Sequence, residues 1–295
     1  MSGIGMVLNT AKGAIAAQQI GLNVTGHNIA NVDTPNYCRQ NVPYTTTQPV
    51  QYGGVLLGTG VDVQQVQRSC DQFLENRLAS ENSDLSAFEE TAAYMSIMES
   101  LFNENSESSL SALMSEFWNS WHDLANNPAG PSERIAVYAK GNEIAEQFNF
   151  LNAELAQLTS QITQEMEAAV SEVNSLADQI AELNNDIVGL EVNRTANDQR
   201  DSRNALVTKL SELIDVQTFE QPNGSLTVMT ANGYVLVNGV DTYSLELVEG
   251  RVKWEASYGG KVDITDKIQG GNIGGWLEMR DEIIPKYSAE LDVLA

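Results

Sequence analysis

Between about Ser132 and Asn193 the chain has no proline and only two glycines, Gly141 and Gly189. Apolar residues recur along this stretch in steps of three and four: Leu151, Leu155, Leu158, Ile162, Met166, Ala169, Val173, Leu176, Ile180, Leu183, Ile187 and Leu190. At 1.5 Å per residue, one helix over this range would be about 90 Å long. The consecutive steps of four at Ile162 and Met166 form a stutter, which locally unwinds a supercoil. A periodic pattern of this length reads as a coiled-coil-like helical bundle.

Shorter helical patterns flank it. Leu74, Leu78, Leu85, Phe88, Ala92, Met95 and Phe102 keep one register, and Leu110, Leu113, Phe117, Trp121 and Leu124 keep another over about 108–126. "NNPAGPSER" separates the second from the long pattern, and a further helix is expected over about 198–214. At Val216 the texture changes. "PNG", "ANG", "VNG" and "EG" punctuate short strands predicted at Val216–Glu220, Ser225–Thr230, Tyr234–Val237, Tyr243–Val248 and Val252–Ser257, an antiparallel β module. From Gly275 helical spacing resumes with Leu277, Arg280, Ile284, Tyr287, Leu291 and Leu294, and Pro285 is expected to kink that helix near its start. The pattern reaches the last residue with no Gly, Asn or basic cap, so a natural continuation is expected.

The N-terminal stretch is also periodic. Ile4, Leu8, Ala11, Ile15, Gln18, Leu22, Thr25 and Ile29 form a heptad seam, six of the eight positions apolar. Gly3, Gly5, Gly13, Gly21 and Gly26 lie in the same stretch, and each interior glycine costs a helix about 1 kcal/mol relative to alanine. Such a helix should form when a partner covers its seam, with the glycines letting that partner approach. An ordinary N-terminal core helix would show the same pattern. The seam runs into "NIANVDTPNYCRQ", where Pro35 suits the second position of a β-turn and Asn36 tolerates the positive φ that a type II turn needs at its third. Residues 40–68 then read as strands of a long hairpin or extended arm.

Charge separates these regions. Residues 1–70 carry Lys12, Arg39 and Arg68 against Asp33 and Asp62, a sum of +1, so with a formal charge of −24 the remainder carries −25. That acidity argues against nucleic acid and anionic membranes as partners. The nearly uncharged first 70 residues suit a surface covered by other subunits, or a polar, mobile N-terminus. No run approaches the ~20 apolar residues of a spanning helix, and "MSGIGMVLNTAKG" lacks the basic and apolar regions of a cleavable signal.

Little in the sequence speaks for chemistry. His27 and His122 have no metal-ligand spacing, "GGNIGG" lacks the context of a phosphate loop, and "DQRDSR" (Asp198–Arg203) reads as ion pairs along a helix start. Cys38 and Cys70 fit no Cys-x-x-Cys pattern; whether they meet across one hairpin stays open. No catalytic, metal-binding or cofactor-binding residues are assigned, and no cofactor is expected.

The motif resembles the N-terminal signature of bacterial flagellar rod, hook and hook-associated proteins, matching at Asn28, Ile29, Ala30, Asn31, Thr34, Pro35, Tyr37 and Arg39. Asn36 departs from the family's usual glycine, and Cys38 stands where Ser or Thr is common. "GTGVDVQQVQRSCDQFLENRL", "DQRDSRNALVTKLSELIDV", "NGYVLVNG" and "GGWLEMRDEIIPKYSAELDVLA" are similar to the hook–filament junction members of that family. The resemblance implies a structural, non-enzymatic, extracellular protein, exported by the flagellar type III apparatus and assembled as a ring of copies. Its partners would be other copies of itself, the hook protein, the second junction protein with the filament, and the export apparatus. Another rod or hook protein, or a secreted coiled-coil type III translocator or adhesin, is the alternative.

The expected fold is mainly α with a β module, an elongated α+β chain. An axial helix at 1–35 would be half of an inner-tube coiled coil. A linker arm at 36–70, a long-helix bundle at 71–215, a small antiparallel β domain at 216–270 and a returning helix at 271–295 follow. Ile4, Leu8, Ala11, Ile15, Leu22 and Ile29 are the expected subunit-packing seam.

Overall fold

The computed structural model describes residues 3–52, 54–102, 109–191, 195–256 and 259–295. Its longer helices are α1 (Gly3–Ala30), α2 (Gln72–Leu101), α3 (Leu110–Asn126), α4 (Pro131–Leu190), α5 (Asn197–Leu213), α6 (Gly271–Glu278) and α7 (Ile284–Leu294). The arm after α1 holds β1 (Gln40–Asn41), β2 (Tyr44–Thr46), β3 (Val50–Tyr52), β4 (Val55–Leu57), β5 (Val61–Val63) and β6 (Gln67–Arg68). β7 (Val216–Glu220), β8 (Leu226–Thr230), β9 (Val235–Asn238), β10 (Asp241–Thr242), β11 (Leu245–Val248), β12 (Arg251–Glu255) and β13 (Lys261–Asp263) follow α5. The class is the expected one, mainly α with small antiparallel sheets.

The long periodic stretch is one 60-residue helix, α4, with Pro131 as its first residue, where a missing N–H is harmless. Every seam residue from Leu151 to Leu190 is buried except Leu183 and Leu190, and Ile162 and Met166 are fully buried through the stutter. Asn193, the far end of the expected pattern, lies outside the described residues, as does Ser257 at the end of one expected strand.

The chain forms two compact units, and neither is a continuous stretch. The first comprises Met1–Ser80, Ser175–Ser211 and Val216–Tyr243. It contains α1, the arm and a four-stranded antiparallel sheet in the order β10-β9-β8-β7. Asn184, on α4, has no exposure and fills all four of its hydrogen-bonding sites. Its Oδ1 accepts from the Leu226 N–H (2.9 Å) and from Arg203 Nη1 (2.8 Å). Its Nδ2 donates to the carbonyls of Leu226 (2.8 Å) and Gly239 (2.7 Å). The first residue of β8 is thereby clamped to the helix.

The second unit comprises Glu81–Asn174, Glu212–Asp215 and Ser244–Ala295. Here a three-stranded sheet, β11-β12-β13, repeats the device: Asn174 Oδ1 accepts from the Leu245 N–H and Nδ2 donates to the Leu245 carbonyl, both at 2.8 Å. The strands expected as one β module therefore belong to two sheets. Of the strand expected over Tyr243–Val248 only Leu245–Val248 forms, as β11; Tyr243 and Ser244 link it to β10. Glu249 (φ +54°) and Gly250 (φ +76°) make the β11–β12 turn, both left-handed as a tight hairpin requires.

Pro285 does not produce a simple kink. A π-helical turn at Met279–Ile283 precedes it, and the Ile284 N–H reaches back to the Met279 carbonyl. The wider turn absorbs the proline, whose ring would crowd the preceding turn of a regular helix.

The "GGNIGG" glycines serve packing. Gly271 takes φ +68°, and a Cβ there would strike the Leu213 carbonyl carbon. A Cβ on Gly275 would stand 2.5 Å from the Ala87 carbonyl oxygen of α2. Gly275→Ala is expected to force α6 away from α2 and to destabilise this unit by about 2 kcal/mol, read from the urea midpoint followed by Trp276 fluorescence.

Asp215 is mostly buried, and its carboxyl is pushed up to about 7, first by desolvation and then by the nearby Asp84. A folded-state value above the unfolded 3.8 means that the penalty is absent below about pH 4 and complete above about pH 7. Asp215→Asn should therefore raise stability at pH 8, by roughly 1–3 kcal/mol after allowance for solvent screening, and leave it unchanged near pH 3.5. Denaturant titrations at the two pH values check the sign.

Candidate functional site

The first unit brings the N-terminal helix, the turn and the arm together. One face of α1 is built from small residues, and the chain's own arm lies on it. The Thr10 hydroxyl donates to the Thr59 carbonyl (3.2 Å), a Cβ on Gly13 would lie 3.7 Å from the Val61 carbonyl oxygen, and one on Gly21 would strike the Tyr44 hydroxyl. Ala17 is the only buried residue among those described in α1. The glycines were expected to admit a partner at the seam; Gly13 and Gly21 admit the arm instead, off the line of the apolar positions, while a Cβ on Gly26 would meet nothing within 4 Å.

The seam itself faces outward. Ile4 is 75% exposed, Ile15 68% and Leu22 73%, and Leu8, Ala11 and Ile29 are exposed as well. At the arm's far end Tyr52, Val55, Leu56 and Leu57 add further exposed apolar surface.

The motif residues form the joint between helix and arm. The Tyr37 N–H bonds to the Thr34 carbonyl (3.2 Å) around Pro35, and Asn36 holds φ +60°. Asn31 ends the helix: its N–H and its Nδ2 both reach the His27 carbonyl, and its Oδ1 accepts from the Thr34 hydroxyl (3.2 Å). Asn28 then ties helix to arm. Its Oδ1 accepts from the Tyr37 hydroxyl (2.8 Å) and the Gln40 N–H (2.9 Å), and its Nδ2 donates to the Gln40 carbonyl (2.9 Å). The Tyr37 ring meets His27 edge-on at 5.6 Å. Burial, then Asp201 and Asp198, hold its phenol above the usual value. Ile29, Ala30 and Arg39 are exposed or on the edge of this network and make none of its side-chain bonds.

The joint rests on α5, a helix expected from the sequence without this contact. Asp198 Oδ1 accepts from Gln40 Nε2 (3.1 Å) and lies 3.4 Å from His27 Nε2. One turn on, Asp201 lies 2.7 Å from Arg68 Nη2 at the base of the arm. Its carboxyl is nonetheless raised, because desolvation outweighs Arg68. The "DQRDSR" charges thus pair across elements rather than along their own helix. Arg200 binds Glu191 (2.6 and 2.9 Å) and Glu220 (2.6 Å), and Arg203, buried and pushed down to about 10, binds Asn184 and the Gly224 carbonyl (2.8 Å). The signal available beforehand was the pair of carboxylates three residues apart on one face of α5, opposite one of the few cations of residues 1–70.

The two cysteines, left open by their spacing, form a disulfide with Cα atoms 5.9 Å apart. Behind the turn lies a cavity of about 190 Å³, bordered by Asn36, Tyr37, Glu75, Asn76 and Asn204. The Glu75 carboxyl there is raised by burial against the opposing effect of Arg68, and it accepts from Asn204 Nδ2 (2.7 Å).

The arrangement is one of geometry, and similarity to known proteins agrees. Residues 8–37 match the flagella basal body rod protein family, and residues 95–295 match the flagellar hook-associated protein FlgK helical domain. The chain belongs to the FlgK family of flagellar hook-associated proteins. FlgK relatives include flagellar hook-associated protein 1 of Bacillus subtilis (strain 168), 33% identical over 244 residues, which cover 80% of this chain and 48% of that protein. The protein of the same name from Salmonella typhimurium is 29% identical over 300 residues, covering 98% of this chain and 54% of the relative. The solved flagellar hook junction protein FlgK from Burkholderia pseudomallei superposes with a TM-score of 0.66 at 25% identity, over 74% of this chain and 41% of that one. The chain spans about half the length of the curated FlgK relatives it matches. No described helix is long and apolar enough to cross a membrane.

Proposed function

We propose that this chain is the junction subunit between flagellar hook and filament, acting as a ring of copies and performing no catalysis. The observation that carries the reading is the division of α1 into two faces. The small face is occupied by the chain's own arm, whereas Ile4, Leu8, Ala11, Ile15, Leu22 and Ile29 are left to solvent. An exposed apolar stripe, broken only at Gln18 and Thr25, on a 28-residue helix is a surface that neighbours cover. The neighbours would be other copies of the chain, the hook protein below and the second junction protein with the filament above. The subunit would leave the cell through the flagellar type III apparatus and work outside it. Residues 1–35 then serve as the axial segment and 36–70 as its linker. The body holds the long helices of 71–215, the strands of 216–270 and the returning segment 271–295.

A strain lacking the full-length protein tests this. It should keep intact hooks in electron micrographs, shed filament subunits into the medium and stop swimming, and the wild-type gene should restore it. Normal filaments in that strain would end the reading. Within the restored protein, Pro35→Ala or Tyr37→Ala should impair swimming while the β7–β10 sheet keeps its thermal transition, because the bonds lost are those of the joint. Undiminished swimming in both variants would remove the joint's role.

A further inference from the structure

We propose that Cys38 and Cys70 form a redox lock on this joint, open as a dithiol in a reducing cytoplasm and closed by thiol–disulfide exchange outside the cell. The place of closure rests on the exported-subunit reading; the lock itself does not.

Cys38 directly follows the turn, and Cys70 lies two residues before α2, so the bond closes the whole arm at its root across a sequence separation of 32. The strand pairing there is slight, and the rest of the hold is polar. β1 and β6 pair through only two residues each, Gln40 with Arg68 and Asn41 with Gln67, and so short a ribbon does not persist unaided. Besides the Asn28 and Arg68 contacts, the root has the Gln40 amide on Asp198 (3.1 Å), the Cys38 backbone on the Asp201 carboxylate, the Ser69 N–H on the Arg39 carbonyl (2.9 Å) and the Val66 carbonyl, which accepts from Thr195 and Asn197. Much of the arm's remaining surface is exposed. A covalent tie at this point removes more freedom than it would inside either unit's core.

The surroundings suit both oxidation states. Glu75 Oε1 lies 3.6 Å from Cys38 Sγ, and an Asp201 carboxylate oxygen lies within 4.8 Å of both sulfurs. After reduction these carboxyls face the two new S–H donors, so opening the bond does not strand buried polar hydrogens. Closure requires an oxidant of the class of low-molecular-weight disulfides. One cysteine thiolate attacks that disulfide and expels a first thiolate. The second cysteine then attacks the mixed disulfide and expels the other. One S–S bond breaks and one forms, two electrons pass from the protein sulfurs to the reagent, and the two protons end on the released thiols. The same three groups could instead hold a divalent metal as thiolates plus Asp201, but the Arg68 guanidinium 2.7 Å from Asp201 opposes a cation there.

The test uses the 295-residue chain purified in both oxidation states, closed with oxidised glutathione or opened with a phosphine reductant. Native-state proteolysis within residues 39–69 should be slower in the closed form by a few hundred-fold, the loop-closure effect for a ring of this size. The Cys38→Ser/Cys70→Ser double variant should behave like the open form under both conditions while keeping the melting transition of the β7–β10 sheet. Denaturing alkylation should find two thiols in cytoplasmic protein and none in the culture medium. Equal proteolysis of the two forms, or two thiols retained with one equivalent of zinc after glutathione treatment, overturns the lock. The proteolysis readout needs no flagellum, so it is separable from the fate of the deletion strain.

Discussion

Asn184→Ala is expected to destabilise the first unit by about 4 kcal/mol, more than any single truncation of an aliphatic surface residue would. The substitution removes four hydrogen bonds at once. It leaves the Leu226 N–H and carbonyl and the Arg203 guanidinium short of a partner in a buried site, and the half-buried Gly239 carbonyl loses its bond as well. Each orphaned buried group costs roughly 1–3 kcal/mol, and a charged one more, although some bonds are recovered by relaxation. Asn174→Ala supplies the comparison. That side chain is only partly buried and holds the backbone of a single residue, Leu245, so about 1–2 kcal/mol is expected. Because the chain has two compact units, a single global transition is the wrong readout. Amide hydrogen exchange in β8 for the first variant and in β11 for the second isolates each effect. Equal losses of protection would show that the four-bond clamp contributes no more than the two-bond one.

That clamp also shows how much of the fold was legible beforehand. The helix α4 could be read because its pattern repeats at every turn, and burial follows the pattern almost throughout. Between Ile180 and Ile187 the periodic reading chose Leu183, whereas the structure buries its neighbour Asn184 and leaves Leu183 half-buried. Nor was the partner of Asn184 visible, since Leu226 is 42 residues away. The same limit explains the two sheets. The glycine turns between strands look alike whether the next strand joins the same sheet or another, because sheet membership is fixed by the surface each strand finds on the helices. At the joint, the turn and its positive φ at Asn36 follow from local chemistry. The arm's place on Gly13 and Gly21, and the carboxylates of α5 beneath Gln40 and Arg68, depend on contacts between distant segments. The sequence marked those glycines as unusual, but the partner they were expected to admit at the seam is, for Gly13 and Gly21, the chain's own arm.

The division of α1 into a used and an unused face leads to the second large effect. Ile15→Asp combined with Leu22→Asp should abolish swimming in the full-length protein while barely altering the isolated chain. Both side chains are more than two-thirds exposed, so their replacement is expected to change stability by no more than about 0.5 kcal/mol each. In an assembled ring each would lose about 1.5–3 kcal/mol of apolar burial and would place a carboxylate among apolar neighbours, which weakens association by several orders of magnitude. Ala17→Asp probes the other face. Ala17 is 4% exposed, so a carboxylate there should disrupt the helix's own packing and lower the chain's stability before any neighbour is involved. The two substitutions are thus expected to separate: the first is silent in thermal melts of the monomer and severe in motility, the second is visible in both. If the double variant swims normally, neighbours do not use that stripe. If it melts well below the parent chain, the stripe is already engaged within the monomer, and the exposed face seen here has no assembly role.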